Sequence, residues 1–67
     1  MTEIELNGAP YCLPVGQSLQ DLAGQLGVAE QAVAVAVNRE VVPRAQWPQR
    51  QLLARDRVDI VRAIGGG

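Results

Sequence analysis

The residues of this sequence that suggest chemistry are Gly65, Gly66 and Gly67, which follow an apolar stretch and end the sequence. Glycine has no Cβ, so its backbone adopts many conformations and approaches a ligand closely. A terminal carboxylate becomes reactive toward nucleophiles once an enzyme has joined it to AMP, because AMP is a good leaving group. We therefore interpret Gly67 as a candidate acceptor for adenylation, on an arm narrow enough to enter a partner's active site.

Two plainer interpretations compete with this hypothesis. The three glycines could be a frayed end or a cloning remnant, since chain termini are often disordered and tolerant of change. They could also form a phosphate-binding loop, but that motif requires a helix after the glycines. No helix follows them in the sequence, so we set the phosphate loop aside.

The remaining side chains offer little catalytic chemistry. The sequence has no His and a single Cys, Cys12. A nucleophile–base pair and a metal site of ordinary ligand count are therefore not expected. We expect Cys12 to be a small core residue rather than a reactive thiol. The composition thus indicates that the protein is not an enzyme but a molecule on which partner enzymes act. We expect it to bind no metal and no cofactor.

Length and charge limit the function further. The 67 residues fit one domain, 48% of them are hydrophobic, and the net charge is −1. This balance provides no basic surface for nucleic acid or for an anionic membrane. We find no leader or membrane-spanning run, so we expect a cytoplasmic protein that is monomeric when free.

The first third of the sequence predicts a hairpin and a helix. Ile4 and Leu6 alternate with acidic residues in a first strand, Asn7-Gly8 predicts a type I′ turn, and the return strand 9–13 contains Pro10 as an edge-strand signal. A helix should follow, with Ser18 as N-cap, Asp21 closing a capping box and Gly27 ending it. Its apolar stripe consists of Leu19, Leu22, Ala23 and Leu26.

The rest of the sequence predicts three more strands. We expect a central strand at 33–37, a polar turn at 38–40, a short strand at 41–42 and a final strand at 58–64. Residues 44–51 should be irregular or 3₁₀, with Trp47 either in the core or at an interface. Leu52 and Leu53 should both re-enter the core.

The order β-β-α-β-β-β predicts an α+β domain of the β-grasp (ubiquitin-like) type. A mixed sheet of four to five strands packs on one α-helix, and the first and last strands lie parallel in the middle of the sheet. Residues 1–64 would form the domain and 65–67 a flexible tail. Val61, Arg62, Ala63 and Ile64 would offer a partner interface beside the tail, because exposed apolar surface often marks a contact.

Several segments resemble the ThiS family, the sulfur carriers of thiamine thiazole biosynthesis. They are Ala36-Val37-Asn38, Val42-Pro43-Arg44, the strand 56–60, the opening 4–13 and the final Gly66-Gly67. The resemblance implies that a ubiquitin-activating-like adenylyltransferase uses ATP to activate Gly67. It further implies that a persulfide donor converts the activated group to a thiocarboxylate, and that thiazole synthase receives the sulfur. Gly66 would be required beside Gly67, and Arg44 would hold its loop.

Three alternatives share parts of this pattern. The small subunit of molybdopterin synthase is also a β-grasp carrier with a final Gly-Gly, although that family is usually longer. A ubiquitin-like modifier would use the same activation and then be joined to lysines. A plain interaction module would leave the glycines without a role.

Overall fold

The computed structural model describes residues 1–62, which form one helix and one five-stranded sheet. The elements are β1 (Thr2–Leu6), β2 (Ala9–Leu13), α1 (Leu19–Leu26), β3 (Val33–Val37), β4 (Glu40–Val41), a 3₁₀ turn (Arg44–Gln46) and β5 (Arg57–Arg62). The strand order is β2-β1-β5-β3-β4, with β1 and β5 parallel and the other neighbours antiparallel. The predicted β-grasp architecture is confirmed.

The first hairpin forms as the sequence predicts. Asn7 has φ 49° and Gly8 has φ 85°, the positive values that a type I′ turn needs at both central positions. Ile4 pairs with Tyr11, and Pro10 lies on β2, the edge strand of the sheet. Because proline has no N–H, it removes one donor from the free edge and makes pairing with another chain less favourable.

Local capping fixes both ends of α1. The Asp21 N–H donates to Ser18 Oγ at 3.2 Å, and the Ser18 N–H donates to Asp21 Oδ2 at 2.9 Å, which completes the capping box. Gly27 ends the helix with φ 74° in the left-handed region. The stripe of Leu19, Leu22 and Ala23 is buried in the common core with the sheet residues.

Trp47 belongs to this core. Its side chain is 1% exposed, and its Nε1–H donates to the Val42 carbonyl at 2.9 Å. The Arg44 guanidinium lies 4.4 Å from the centre of the indole ring and donates to the carbonyls of Ala29 and Gln31. Arg44 therefore ties the loop after α1 to the segment after β4, as the sequence predicted for it.

Two strand boundaries differ from the prediction. The turn at Asn38 has two residues rather than three, because Val37 pairs with Glu40, so β4 is 40–41 instead of 41–42. β5 begins one residue earlier than expected, at Arg57. The predicted continuation of this strand through Ala63 and Ile64, and the predicted tail 65–67, lie outside the described residues.

The prediction that Leu52 and Leu53 both enter the core is wrong for Leu53. Leu52 is 2% exposed and Leu53 is 59% exposed. Neighbouring side chains of extended backbone point in opposite directions, so only one of the pair can face the helix. The Leu53 N–H instead donates to Asp56 Oδ2 at 2.8 Å and starts the turn before β5.

The two leucines provide a test of the core assignment. We expect Leu52→Ala to reduce the free energy of unfolding by about 2–5 kcal/mol, since it leaves a cavity in a thin core. Leu53→Ala should change it by less than about 0.5 kcal/mol. Urea denaturation measures both values, and equal losses at the two positions would contradict the assignment.

Candidate partner-docking site at the end of the last strand

The base of the candidate site is β5, which has strand neighbours on both sides. On one side its residues 57 and 58 pair with Glu5 and Leu6 of β1. On the other side it pairs with the whole of β3, from Val58 opposite Val37 to Arg62 opposite Val33. Val58 is fully buried. Arg62, the last described residue, therefore stands at the end of an anchored strand.

A buried carboxylate and a turn asparagine hold the start of β5. Asp56 is 7% exposed, accepts the Asn38 side-chain N–H at 3.1 Å and lies 3.5 Å from Arg50. Asn38 Oδ1 in turn accepts the Arg57 main-chain N–H at 3.0 Å. These bonds satisfy the polar groups where the chain enters the centre of the sheet.

The outer face of the sheet, opposite α1, carries an apolar patch next to Arg62. Ala34 lies directly opposite Val61, Ala36 lies directly opposite Val41, and the two alanines are alternate residues of β3. Cross-strand partners share a face, so these four residues form one apolar patch. Val61 is 63% exposed and Val41 is 72% exposed. Because the alanine side chains are small, the surface between the two exposed valines is low and nearly flat.

The other half of the outer face is charged. Arg57 Nε lies 3.4 Å from Glu5 Oε2 and 3.7 Å from Asp59 Oδ2, in a group that water reaches. Solvated ion pairs of this kind add little stability. Their effect is to border the apolar patch on the side toward β1, so that the apolar surface is confined to β3, β4 and the end of β5.

The predicted interface residues divide into two groups. Val61 and Arg62 are both exposed at the end of β5 but lie on opposite faces of the sheet. Val61 pairs with Ala34 on the outer face, and Arg62 pairs with Val33 on the helix side. Ala63, Ile64 and the glycines 65–67 lie outside the described residues. The sequence reasoning missed Ala34, Ala36 and Val41 as neighbours of Val61. The alternation of valine and alanine along β3 was the signal, because it separates a bulky inner face from a flat outer face.

Cys12 is exposed, so the expectation of a core cysteine is wrong. Its neighbours Tyr11 and Leu13 face the helix side, and alternation along β2 turns Cys12 to the outer face. Its Sγ lies 4.0 Å from Glu3 Oε1 on the paired strand. This location is at the end of the sheet away from Arg62.

Residues 1–62 contain neither a cluster of metal-binding side chains nor a helix long enough to cross a membrane. Within that range no three His, Cys, Asp or Glu side chains come together as a metal-binding group. The single helix in the same range is too short to cross a bilayer.

The five-stranded sheet, the single helix and the anchored last strand define a ubiquitin-like β-grasp domain. A solved thiamine biosynthesis protein (ThiS) from Geobacter metallireducens superposes with a TM-score of 0.85 at 26% identity, covering 98% of this chain and 100% of that one. The ThiS family model matches residues 4–67. The chain belongs to the ThiS family.

Similar proteins of two sizes support this assignment. The sulfur carrier protein ThiS of Escherichia coli is 35% identical over 65 residues, covering 97% of this chain and 98% of that protein. A thiazole synthase of Magnetococcus marinus is 38% identical over 65 residues, but the chain spans only 20% of its length. A thiazole synthase of Paramagnetospirillum magneticum is 34% identical over 65 residues, and the chain again spans 20% of that protein's length.

The exposed cysteine yields a direct prediction. We expect Cys12 in the folded protein to react with a thiol-specific disulfide reagent at a rate within a few-fold of that in urea, because the side chain is already accessible to solvent. Absorbance of the released thiolate measures both rates. A thiol that reacts only after denaturation would place Cys12 in the core and contradict the strand orientation.

Proposed function

We propose that this chain is a sulfur carrier of thiamine thiazole biosynthesis and that Gly67 carries the sulfur. The single observation that supports this most strongly is the family match, which extends through residue 67 and so includes the glycines. The full-length similarity to a protein named as a sulfur carrier supports it as well. In this role the chain is a cosubstrate of partner enzymes and not itself an enzyme.

The proposed chemistry takes place on the Gly67 carboxylate. In a ubiquitin-activating-like adenylyltransferase, one carboxylate oxygen attacks the α-phosphorus of ATP and pyrophosphate leaves. The terminal sulfur of a persulfide then attacks the acyl carbon, and AMP leaves. A thiol cleaves the resulting acyl disulfide, so that the thiol is oxidised to a disulfide and the carrier is released as a thiocarboxylate. Glycines 65 and 66 allow the extended backbone to reach the nucleotide.

Thiazole synthase is the proposed receiver of the sulfur. Two thiazole synthases contain a segment similar to this chain within a much longer polypeptide. Joining in one polypeptide raises the effective concentration of two parts that must meet. This supports thiazole synthase as the partner that consumes the thiocarboxylate.

The proposed contact for the adenylyltransferase is the apolar patch of Ala34, Ala36, Val41 and Val61. Arg62, Ala63 and Ile64, which follow Val61 in the sequence, are proposed to contribute to the same contact, Arg62 from the face of β5 that it shares with Val33. Two observations support this proposal: the two valines are largely exposed, and Val61 lies at the end of β5, the described strand that precedes Gly67 in the sequence. Burying exposed apolar surface contributes to association most at the centre of an interface. The patch would therefore determine the affinity of the carrier for its activating enzyme.

Mass spectrometry tests the carrier role. With its adenylyltransferase, ATP, a persulfide donor and a thiol reductant, the 67-residue chain should gain the mass difference between one sulfur and one oxygen atom. Deletion of Gly67 should abolish the gain and leave the melting temperature within about 2 °C, since residues beyond the sheet contribute little to folding. A wild-type chain whose mass stays unchanged would contradict the proposal, and adducts to lysines of other proteins would identify a modifier instead.

A matched pair of exposed valines tests the docking surface. We expect Val61→Asp to lower kcat/KM for ATP–pyrophosphate exchange more than about tenfold, because a charge would be buried at the interface. Val15, which is 76% exposed in the turn before α1, is the control.

Val15→Asp adds the same charge far from the patch and should leave kcat/KM within about twofold. Urea denaturation of both variants separates docking from folding. Equal kcat/KM values for the two variants would contradict the assignment of Val61 to the interface.

A further inference from the structure

Asn7 makes a contact that its role as a turn residue does not require. Its main-chain N–H donates to the Val58 carbonyl at 2.9 Å, which continues the parallel ladder between β1 and β5. Its side-chain Oδ1 accepts the main-chain N–H of Ile60 at 2.7 Å. One residue at the end of β1 thus bonds twice to the last strand.

The second bond replaces a missing ladder bond. In a parallel ladder, a residue that donates to one carbonyl of its neighbour accepts from the N–H two residues further on. The Ile60 N–H would therefore meet the main-chain carbonyl of residue 7. The positive φ of Asn7 turns the main chain toward β2, and the side-chain oxygen accepts the bond instead.

The Asn7–Ile60 bond lies where the pairing of β5 with β1 has ended. Within residues 1–62, no strand pairs with β5 on the β1 side beyond Val58. Ile60 lies two residues before Arg62, so the Asn7 bond is the one that extends the support of β5 on that side toward the proposed reactive arm. On the other side, β3 pairs with β5 as far as Arg62.

We infer that Asn7 is a positioning residue for activation of the chain, because it fixes the direction in which the end of β5 leaves the sheet. The inference rests on the proposed function. An arm that starts from a fixed strand reaches the partner's nucleotide site with few residues left to order. If the Ile60 N–H loses its acceptor, the end of β5 frays, and binding must order it again at an entropic cost.

The plainer explanation is that Asn7 is present for the type I′ turn alone, where Asn-Gly is the favoured pair. Two substitutions separate the explanations. Asn7→Gly keeps a residue that accepts positive φ but removes the oxygen, whereas Asn7→Asp keeps both the oxygen and tolerance of that conformation.

Asn38 provides a matched control at the other end of the same strand. It too has a positive φ, 52°, and its Oδ1 accepts the Arg57 main-chain N–H at 3.0 Å. Asn38→Gly removes a turn asparagine that holds the start of β5 and leaves its end untouched. Asn38→Gly should therefore lower stability at least as much as Asn7→Gly, because it also removes the bond to buried Asp56.

The experiment applies three methods to the 67-residue chain and the three variants: carrier kinetics, amide hydrogen exchange and thermal melting. ATP–pyrophosphate exchange by the ubiquitin-activating-like adenylyltransferase gives kcat and KM for the carrier. Amide hydrogen exchange gives the protection of Ile60. We expect Asn7→Gly to raise KM about fivefold with kcat within about twofold, which is the cost of ordering about one further residue. Asn7→Gly should also lower the protection of the Ile60 amide. Asn7→Asp should restore both the wild-type KM and the wild-type protection.

The control separates positioning from stability. Asn38→Gly should keep the wild-type KM despite its lower melting temperature, and its Ile60 protection should fall no more than that of core amides, which exchange through global unfolding. Asn7→Gly with a wild-type KM, or Asn38→Gly with the same rise in KM, would overturn the inference while the proposed function stood. A wild-type chain that supports no exchange would overturn the proposed function and the inference together.

Discussion

The whole domain depends on the pairing of β5 on both of its sides. β5 joins the hairpin β1–β2 to the pair β3–β4, and without it the sheet would be two separate halves. A chain of this size buries only about 60% of the surface that its unfolded form exposes, so it has little stability to spare. The fully buried Val58, near the start of β5, lies in the core cluster together with Ile4 of β1 and Val35 of β3. The described strand nearest to Gly67 in the sequence is therefore also the strand that joins the two halves of the sheet.

This arrangement explains how the two faces of the sheet differ. The inner face is built from branched and bulky residues such as Ile4 and Val35, which fill the space beneath α1. No helix or strand among residues 1–62 covers the outer face, so its side chains are available for contact with another molecule. Alanines at 34 and 36 keep the surface flat, and Val61 brings exposed apolar area close to Arg62. An isolated monomer gains nothing from that exposure, whereas a carrier that must be recognised does.

Local rules explain which features the sequence predicted. Asn7-Gly8, the capping box of Ser18 and the left-handed Gly27 depend on a few neighbouring residues, so the sequence alone predicts them. The apolar runs between turn residues predict the later strands, and the family resemblance agrees with the resulting order of elements. Hydrophobicity alone does not predict the exposure of Cys12 and Leu53, because the alternation of extended backbone decides which side chains face the core. The apolar patch was incomplete because its members meet only through the register of β3 with β4 and β5.

The same reasoning explains why the side-chain bonds of the two asparagines escaped the sequence. A turn signal indicates that residue 7 or 38 adopts positive φ, but it carries no information about a partner strand distant in sequence. Only the fold brings the Arg57 and Ile60 N–H groups to the two side-chain oxygens. In both cases a main chain that turns away leaves a strand donor unpaired, and an asparagine supplies the acceptor. Asn38 at the start of β5 and Asn7 near its end thus each do two things: they adopt the positive φ of a turn, and they accept a main-chain N–H of β5. Because the residue proposed to react follows that strand in the sequence, a rigid strand is a contribution that the fold can make to the proposed function.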